Sequence, residues 1–295
     1  MPRSVRPSRR GQYALAGVLL ALLAFPTTAA AQDQAASAVP LWHGPDGEPL
    51  PFRTYAEAEV FLRDARVVSS RLYGEGIAGL KEVLFEHNGI QARAGFHEID
   101  DQTGEVPMNG RFFRTYYDSY RGQCAAYAVA RLLQLDYVPP IVCRRVEGIR
   151  GSVQLWVEGG TLEAERLAEG MRPPVALDWM RQVQAMHLFD NLIFNDDRHS
   201  RNYLYDAQWR LWLIDHTRAF QTRGELRDPG KLALCERRLW ERLQAITQDQ
   251  LRRVVSEYLE PRQVSALARR HGLLVAHIAE LIAVRGEGAV LIDSQ

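Results

Sequence analysis

Phe194-Asn195-Asp196-Asp197-Arg198-His199-Ser200-Arg201-Asn202 is the densest polar stretch of the chain, and Leu211-Trp212-Leu213-Ile214-Asp215-His216 comes soon after it. The first run comes directly after an apolar, helix-patterned segment, Ala176 to Phe194. It leads into a strand-like hairpin, Asn202 to Ile214, that turns at Asp206-Ala207. The second run is an apolar strand that delivers a carboxylate at its end. A strand-end carboxylate facing a loop with Asp197 and Asn202 suits a hard cation such as Mg²⁺, which takes a few oxygen ligands and shares the rest of its shell with phosphate and water. An aspartate within that loop suits acceptance of a hydroxyl proton during phosphoryl transfer. Such loops also occur as plain solvated turns, so the rest of the chain has to agree.

Upstream, Glu82–Glu86 and Ile90–Ile99 pattern as two strands joined by His87-Asn88-Gly89, a hairpin signal. A short helix over Tyr55–Val67 precedes them, and an amphipathic helix over Tyr120–Leu135 comes after, ended by Val138-Pro139-Pro140. Ile141–Val146 and Ser152–Val157 form a second strand pair, with Gly148 and Gly151 in its turn. Downstream of Glu158-Gly159-Gly160 the pattern is mainly helical: Ala176–Phe194, Leu232–Ile246, Gln248–Leu259 and Arg262–Val284. The pattern predicts an α+β chain of two lobes, a small strand-rich N-lobe and a helical C-lobe.

Composition bounds the function. With 36 basic and 36 acidic residues and 46% apolar residues, the 295-residue chain has a globular balance and no basic excess for a nucleic-acid track. Only Lys81 and Lys231 are lysines, so any chemistry that needs a lysine has two candidates. Residues 1–31 read as a signal peptide: Arg3, Arg6, Arg9 and Arg10 precede the apolar run Ala14–Phe25, and Ala29-Ala30-Ala31 provides a small-residue cleavage site. The apolar run is too short to span a bilayer, so the expectation is an exported protein, periplasmic or secreted, with no transmembrane anchor after cleavage. Residues 32–54 read as a linker, 55–158 as the N-lobe and 159–290 as the C-lobe. Cys124, Cys143 and Cys235 lack a C-x-x-C spacing. Cys124 and Cys143 read as small core residues, and one disulfide of open pairing is compatible with export.

Asp197-Arg198-His199-x-x-Asn202, with Leu213-Ile214-Asp215-His216 downstream, resembles the catalytic and metal segments of the atypical kinase-like fold. That group includes the phosphatidylinositol 3- and 4-kinases, the HipA toxin kinases and secretory-pathway kinases of the Golgi casein kinase type. Gly89 to Ile99 resembles the strand that ends in A-x-F-K in that group. Gln123-Cys124-Ala125-Ala126-Tyr127 through Val138-Pro139-Pro140 resembles its E-I-A-A-F helix and V-P-P exit, and Gln154–Glu158 takes the place of the hinge that receives adenine. The resemblance implies ATP with Mg or Mn as cofactors, Asp197 as catalytic base, and Asn202 and Asp215 as metal ligands. It makes His199 a support packed within the catalytic loop, and gives Asp190 and Asn195 a loop-bracing role. Arg198 is left to contact phosphate or to pair with a carboxylate. The phosphoacceptor is a protein, lipid or small-molecule hydroxyl.

Two positions depart from that pattern. The phosphate-clamping lysine falls on His97, and the helix glutamate that should pair with it falls on Gln123. An imidazole and an amide are able to share one neutral hydrogen bond, but they supply little fixed charge. Arg93, which shares a strand face with His97, is the candidate replacement, and Glu158 completes the nucleotide-binding set with His97, Gln123 and Arg93. Gly74-x-Gly76-x-x-Gly79 is a weak phosphate-loop signal. Three functions are compatible with this pattern: a phosphotransferase with an altered clamp, a pseudokinase acting as a binding or scaffolding module, and a metal-dependent hydrolase.

Overall fold

Asn88 and Gly89 both take positive φ, 53° and 80°, and so close the predicted hairpin with the backbone twist that a two-residue turn requires. The computed structural model describes residues 42–74, 79–101, 105–108, 111–114 and 117–293. In chain order these form α1 (Tyr55–Asp64), β1 (Arg66–Leu72), β2 (Lys81–His87), β3 (Ile90–His97), β4 (Asp100–Asp101), β5 (Glu105–Met108), β6 (Arg111–Arg114) and β7 (Asp118–Ser119). Helix α2 (Tyr120–Leu133) and strands β8 (Ile141–Val146) and β9 (Ile149–Leu155) come next. The second half contains β10 (Thr161–Leu162), α3 (Glu163–Ala168), α4 (Ala176–Ile193), β11 (Tyr203–Tyr205), β12 (Leu211–Leu213) and β13 (Cys235–Glu236). It closes with α5 (Arg237–Ala245), α6 (Gln248–Val255), α7 (Pro261–Arg285), α8 (Glu287–Val290) and β14 (Leu291–Ile292).

The main sheet runs β1-β2-β3-β9-β8, with antiparallel neighbours throughout. Strand periodicity sends alternate residues to opposite faces. Val83, Phe85, Ala94, Phe96, Val153 and Leu155 belong to a core with Phe61 and Leu62 of α1. The other face carries Glu82, Arg93, Gly95 and His97, in register with Gln154 and Ser152 of β9. That polar face looks toward α2. A second core joins α2 and α4 through α7, with Phe189, Leu192, Leu243, Leu267 and Leu274 in its interior. The two-lobed α+β architecture is therefore present, and it places a polar sheet face beside a helical body.

Several local expectations differ from what the chain does. Helix α1 ends at Asp64, and the β-branched Val67 and Val68 enter a strand on the edge of the sheet instead of a last helical turn. Gly151 lies inside β9, not in the turn: a Cβ there would come within 2.3 Å of the His97 carbonyl oxygen, so the glycine permits close strand approach. Cys235 and Glu236 pair with Leu291 and Ile292, which delays α5 to Arg237. Within the expected linker, Trp42, Leu50 and Phe52 are buried, and Trp42 packs on Trp212 with ring centroids 4.8 Å apart.

Cys124 and Cys143 form a disulfide that ties α2 to β8. The pair supersedes the reading of both as plain core residues, since Cys143 is exposed on its strand. The closed loop spans 19 positions, for which chain-entropy arguments give about 3 kcal/mol. Cys143→Ser should lower Tm by roughly 6–12 °C relative to the oxidised wild type. An unchanged Tm, with free thiols titrated in the wild type, would show that the bond does not form.

Candidate active site

Helix α4 ends at Phe194 in the left-handed region, φ 49°, which turns the chain abruptly into the Asp197 loop. Arg198 organises this loop. Its side chain is 4% exposed and faces Asp190 of α4, with Nε 3.1 Å from Oδ2 and Nη2 3.2 Å from Oδ1. Its Nη1 donates to the carbonyls of Asn202 and, at 2.8 Å, Ile214. The choice left open in the sequence thus resolves to carboxylate pairing. Asn195 braces the same corner: its amide donates to Asp190 Oδ1 at 3.3 Å, and its Oδ1 accepts from the Asp197 backbone N–H at 3.2 Å.

The same ladder brings the three predicted residues into one corner. Asn202 Nδ2 donates to the Asp197 carbonyl at 2.9 Å, which turns its Oδ1 away from that carbonyl. The Ile214 N–H donates to the Asn202 carbonyl at 3.1 Å, and Tyr203 pairs with Leu213, so Asn202 and Asp215 stand at neighbouring strand ends. Asp215 adopts φ 52°, a left-handed conformation that costs energy for a residue with a Cβ. Its Oδ1 accepts from Thr217 Oγ1 at 3.0 Å. Asn202 and Asp215 offer side-chain oxygens of the hard type, one group of them anionic, suited to a divalent ion. Among the described residues no three His, Cys, Asp or Glu side chains gather as a metal cage. A cation held by Asn202 and Asp215 would take the rest of its shell from other oxygens, such as phosphate or water.

His199 lies at the loop surface instead of inside it, but it does support the loop backbone: its Nδ1 accepts from the Arg201 N–H at 3.2 Å. Its side chain is 52% exposed, with Nε2 4.0 Å from Asp197 Oδ2. The buried histidine is His216, fully enclosed, with Nε2 2.9 Å from Arg198 Nη2. Because the guanidinium can only donate, that nitrogen is the acceptor. Burial, helped by Arg198, pushes the His216 pKa well below its ordinary value. Nothing in the sequence distinguished it from His199, because burial is a property of the folded loop.

Helix α2 docks directly on the metal segment. The Ser119 N–H donates to the Thr217 carbonyl at 2.9 Å. A Cβ on Gly122 would come within 2.6 Å of the His216 carbonyl oxygen. Gln123 is completely buried, and its Oε1 accepts from the His216 backbone N–H at 3.3 Å. His97 is 5% exposed; burial lowers its pKa, against the weaker pull of Asp215 and Asp118. The neutral bond expected between His97 and Gln123 is not made. Among the described residues, His97 Nδ1, Gln123 Nε2 and Ser152 Oγ all lack partners, an arrangement that suits a polar ligand on this face.

Arg93, midway along β3, and Glu158, beyond the end of β9, lie away from His97. They form a bidentate ion pair, with Arg93 also 3.5 Å from Glu82 and stacked over Trp156 at 5.6 Å. The four-residue step along the strand from Arg93 to His97 amounts to about 13 Å. Glu158 and Arg93 therefore lie by residues 154–158, and His97 and Gln123 by residues 215–216. Gly76 of the glycine pattern lies outside the described residues.

Solved structures share this architecture. Hydra Fam20 with sugar aligns with TM-score 0.62 at 14% identity, over 82% of this chain and 93% of that one. The Golgi casein kinase with Mn/ADP bound aligns with TM-score 0.58 at 15% identity, over 81% of this chain and 78% of that one. The fold is kinase-like. No protein-family model and no curated protein matches the sequence. At these identities the likeness is one of fold, and within that kinase-like fold the Asp197–Asn202–Asp215 corner lies where the sheet's polar face meets the helical lobe.

Arg218 and Asp118 also belong to this corner and were not singled out in the sequence. Arg218 Nη1 is 3.3 Å from Asp197 Oδ2, and its Nε is 3.2 Å from Asp118 Oδ2. The one signal in the sequence was the position of Arg218 three residues after Asp215.

Two of the buried histidines, His97 and His216, give a pH signature. Their unfolded counterparts titrate near ~6.5, whereas burial lowers both folded pKa values. The unfolded chain then binds more protons below that pH, so the contribution to stability is full above about 6.5 and is lost as the pH falls. Tm should drop between pH ~7.5 and ~5.5, and His97→Asn, which cannot take the proton, should reduce the drop. A His97→Asn profile as steep as that of the wild type would contradict the assignment.

Proposed function

We propose that the protein is an exported phosphotransferase that uses ATP with Mg or Mn. The observation that carries the reading is the hydrogen-bonded convergence of Asp197, Asn202 and Asp215 around Arg198. In this reading the Asp197 carboxylate, partly open to solvent, orients an acceptor hydroxyl and takes its proton. Asn202 Oδ1 and the Asp215 carboxylate hold the divalent ion, which when bound neutralises phosphate charge. Gln123 holds the His216 backbone and so fixes the direction of Asp215. His97, Gln123 and Ser152 offer unpaired polar atoms to the phosphate or ribose end, and Arg93 with Glu158 borders the base end. His199 stands at the acceptor side of Asp197. The Mn/ADP carried by the Golgi casein kinase supports this choice of cofactors. Residues 1–31 serve as the export signal, residues 55–158 as the nucleotide-binding lobe and 159–290 as the lobe that bears the catalytic segments. The Cys124–Cys143 disulfide supports export, because such bonds persist in oxidising compartments.

One observation favours a pseudokinase as the second reading. The position of the usual clamp holds a buried imidazole whose pKa is lowered by burial and whose Nδ1 has no hydrogen-bond partner among the described residues. Substitution separates the two. Asp215→Asn should abolish metal-dependent ATP binding, measured as loss of the thermal shift with ATP and Mg²⁺. Asp197→Asn should bind nearly normally and lose turnover, because a base acts in the transition state. A wild type that binds ATP and never transfers phosphate would favour the pseudokinase; a wild type that binds none would remove the phosphotransferase and leave the pseudokinase as a scaffold.

A further inference from the structure

Helix α2 is held differently on its two sides. Toward residues 216–217 it has hydrogen bonds, from the N–H of its N-cap Ser119 to the Thr217 carbonyl and from the His216 N–H to Gln123 Oε1. Toward the sheet, no hydrogen bond joins α2 to β8 or β9 among the described residues. Apolar packing around Ile141 and the Cys124–Cys143 bond hold it there.

That bond stands in the row of the sheet that carries the unpartnered polar atoms. Cys143 pairs with Ser152, and Ser152 with His97, so the three share one face of neighbouring strands. Cys143 is two strand spacings from His97, about 10 Å. Ser152 Oγ and His97 Nδ1 lack partners among the described residues, as does Nε2 of Gln123, the residue before Cys124. The disulfide thus fixes the helix side of this cluster against its sheet side.

A thiol has access to the bond. Cys143 is exposed, and both cysteines line a groove of about 640 Å³ between α1, α2, β8 and α6. Cys124 is 3% exposed, so attack falls on the Cys143 sulfur. Cys235 is a buried thiol whose pKa burial pushes up to about 12, so the attacking thiol comes from outside the chain.

We propose that Cys124–Cys143 is a thiol-exchange site that controls the cleft, with a dithiol as reductant. One thiolate of the dithiol bonds to Cys143 Sγ and breaks the S–S bond, and Cys124 leaves and takes up a proton. The second thiolate then displaces Cys143 from the mixed disulfide. Two electrons and two protons pass in all from the dithiol to the protein. Helix α2 keeps its hydrogen bonds to residues 216–217 and loses its covalent hold on β8. Gln123 then shifts against His97 and Ser152, and a ligand that spans both sides is bound less well. The consequence for nucleotide rests on the phosphotransferase reading; the exchange itself does not.

Mn²⁺–ADP binding to the mature protein, oxidised or treated with dithiothreitol, tests the proposal, with alkylation and mass spectrometry to locate thiols and circular dichroism to follow the fold. Reduction should free Cys124 and Cys143, keep the helical signal and weaken ADP by about ten-fold, the loss expected where about a tenth of the clefts stay competent. Reoxidation should restore the affinity, and the monothiol glutathione should leave its adduct on Cys143. Cys235→Ser should respond as the wild type does, whereas the double variant Cys124→Ser, Cys143→Ser should bind weakly with or without dithiothreitol. A native bond that resists dithiothreitol, or a fold lost on reduction, overturns the proposal. ADP binding unchanged by complete reduction overturns it as well, with the phosphotransferase reading intact. An oxidised wild type that binds no Mn²⁺–ADP overturns both.

Discussion

The buried guanidinium of Arg198 is the constraint on which the site depends. One side chain, 4% exposed, joins the end of α4 through Asp190, the Asp197 loop through the Asn202 carbonyl, and the segment around Asp215 through the Ile214 carbonyl and His216. Each contact alone is replaceable, and a buried ion pair is weak evidence for net stability. Its geometry is the point. A planar fork with five donors fixes the mutual orientation of these three segments. Loss of one partner would leave a charge buried and unpaired, at a cost of about 3–5 kcal/mol.

A second chain of contacts runs from the sheet to the same corner. The Cys124–Cys143 bond holds α2 to β8, and the close packing of Gly122 and Ser119 on residues 216–217 holds α2 to the metal segment. Gln123 then sets the backbone of His216, beside the strained φ of Asp215. The amide in place of a carboxylate has a physical consequence. A glutamate in this completely buried position would be an uncompensated charge, whereas Gln123 offers an acceptor to a backbone N–H without charge.

Much of this was legible in the sequence where local signals govern. The Asn88-Gly89 turn and the amphipathic runs of α2, α4 and α7 arise from turn chemistry and periodicity. The Asp197, Asn202 and Asp215 spacing predicted a shared corner because a short hairpin, β11–β12, must bring its ends together. The features that escaped depend on tertiary neighbours. His199 and His216 are equivalent on paper; only the Arg198 network buries one and leaves the other at the surface. Arg93 shares a face with His97, as predicted, but face-sharing carries no information on distance along the strand or on the waiting carboxylates of Glu82 and Glu158. Trp42, Leu50 and Phe52 sit in a Pro- and Gly-rich stretch whose composition hides three core residues.

On the proposed function, Asn202 and Asp215 hold a divalent ion whose shell phosphate completes. Water-proton relaxation of Mn²⁺ titrated with the mature protein, with and without ADP, tests it most directly. The account predicts weak Mn²⁺ binding to the protein alone and a large relaxation enhancement in the ternary mixture, beyond that of Mn–ADP. Tight Mn²⁺ binding that ADP does not alter, or a ternary signal no greater than Mn–ADP in solution, would contradict it.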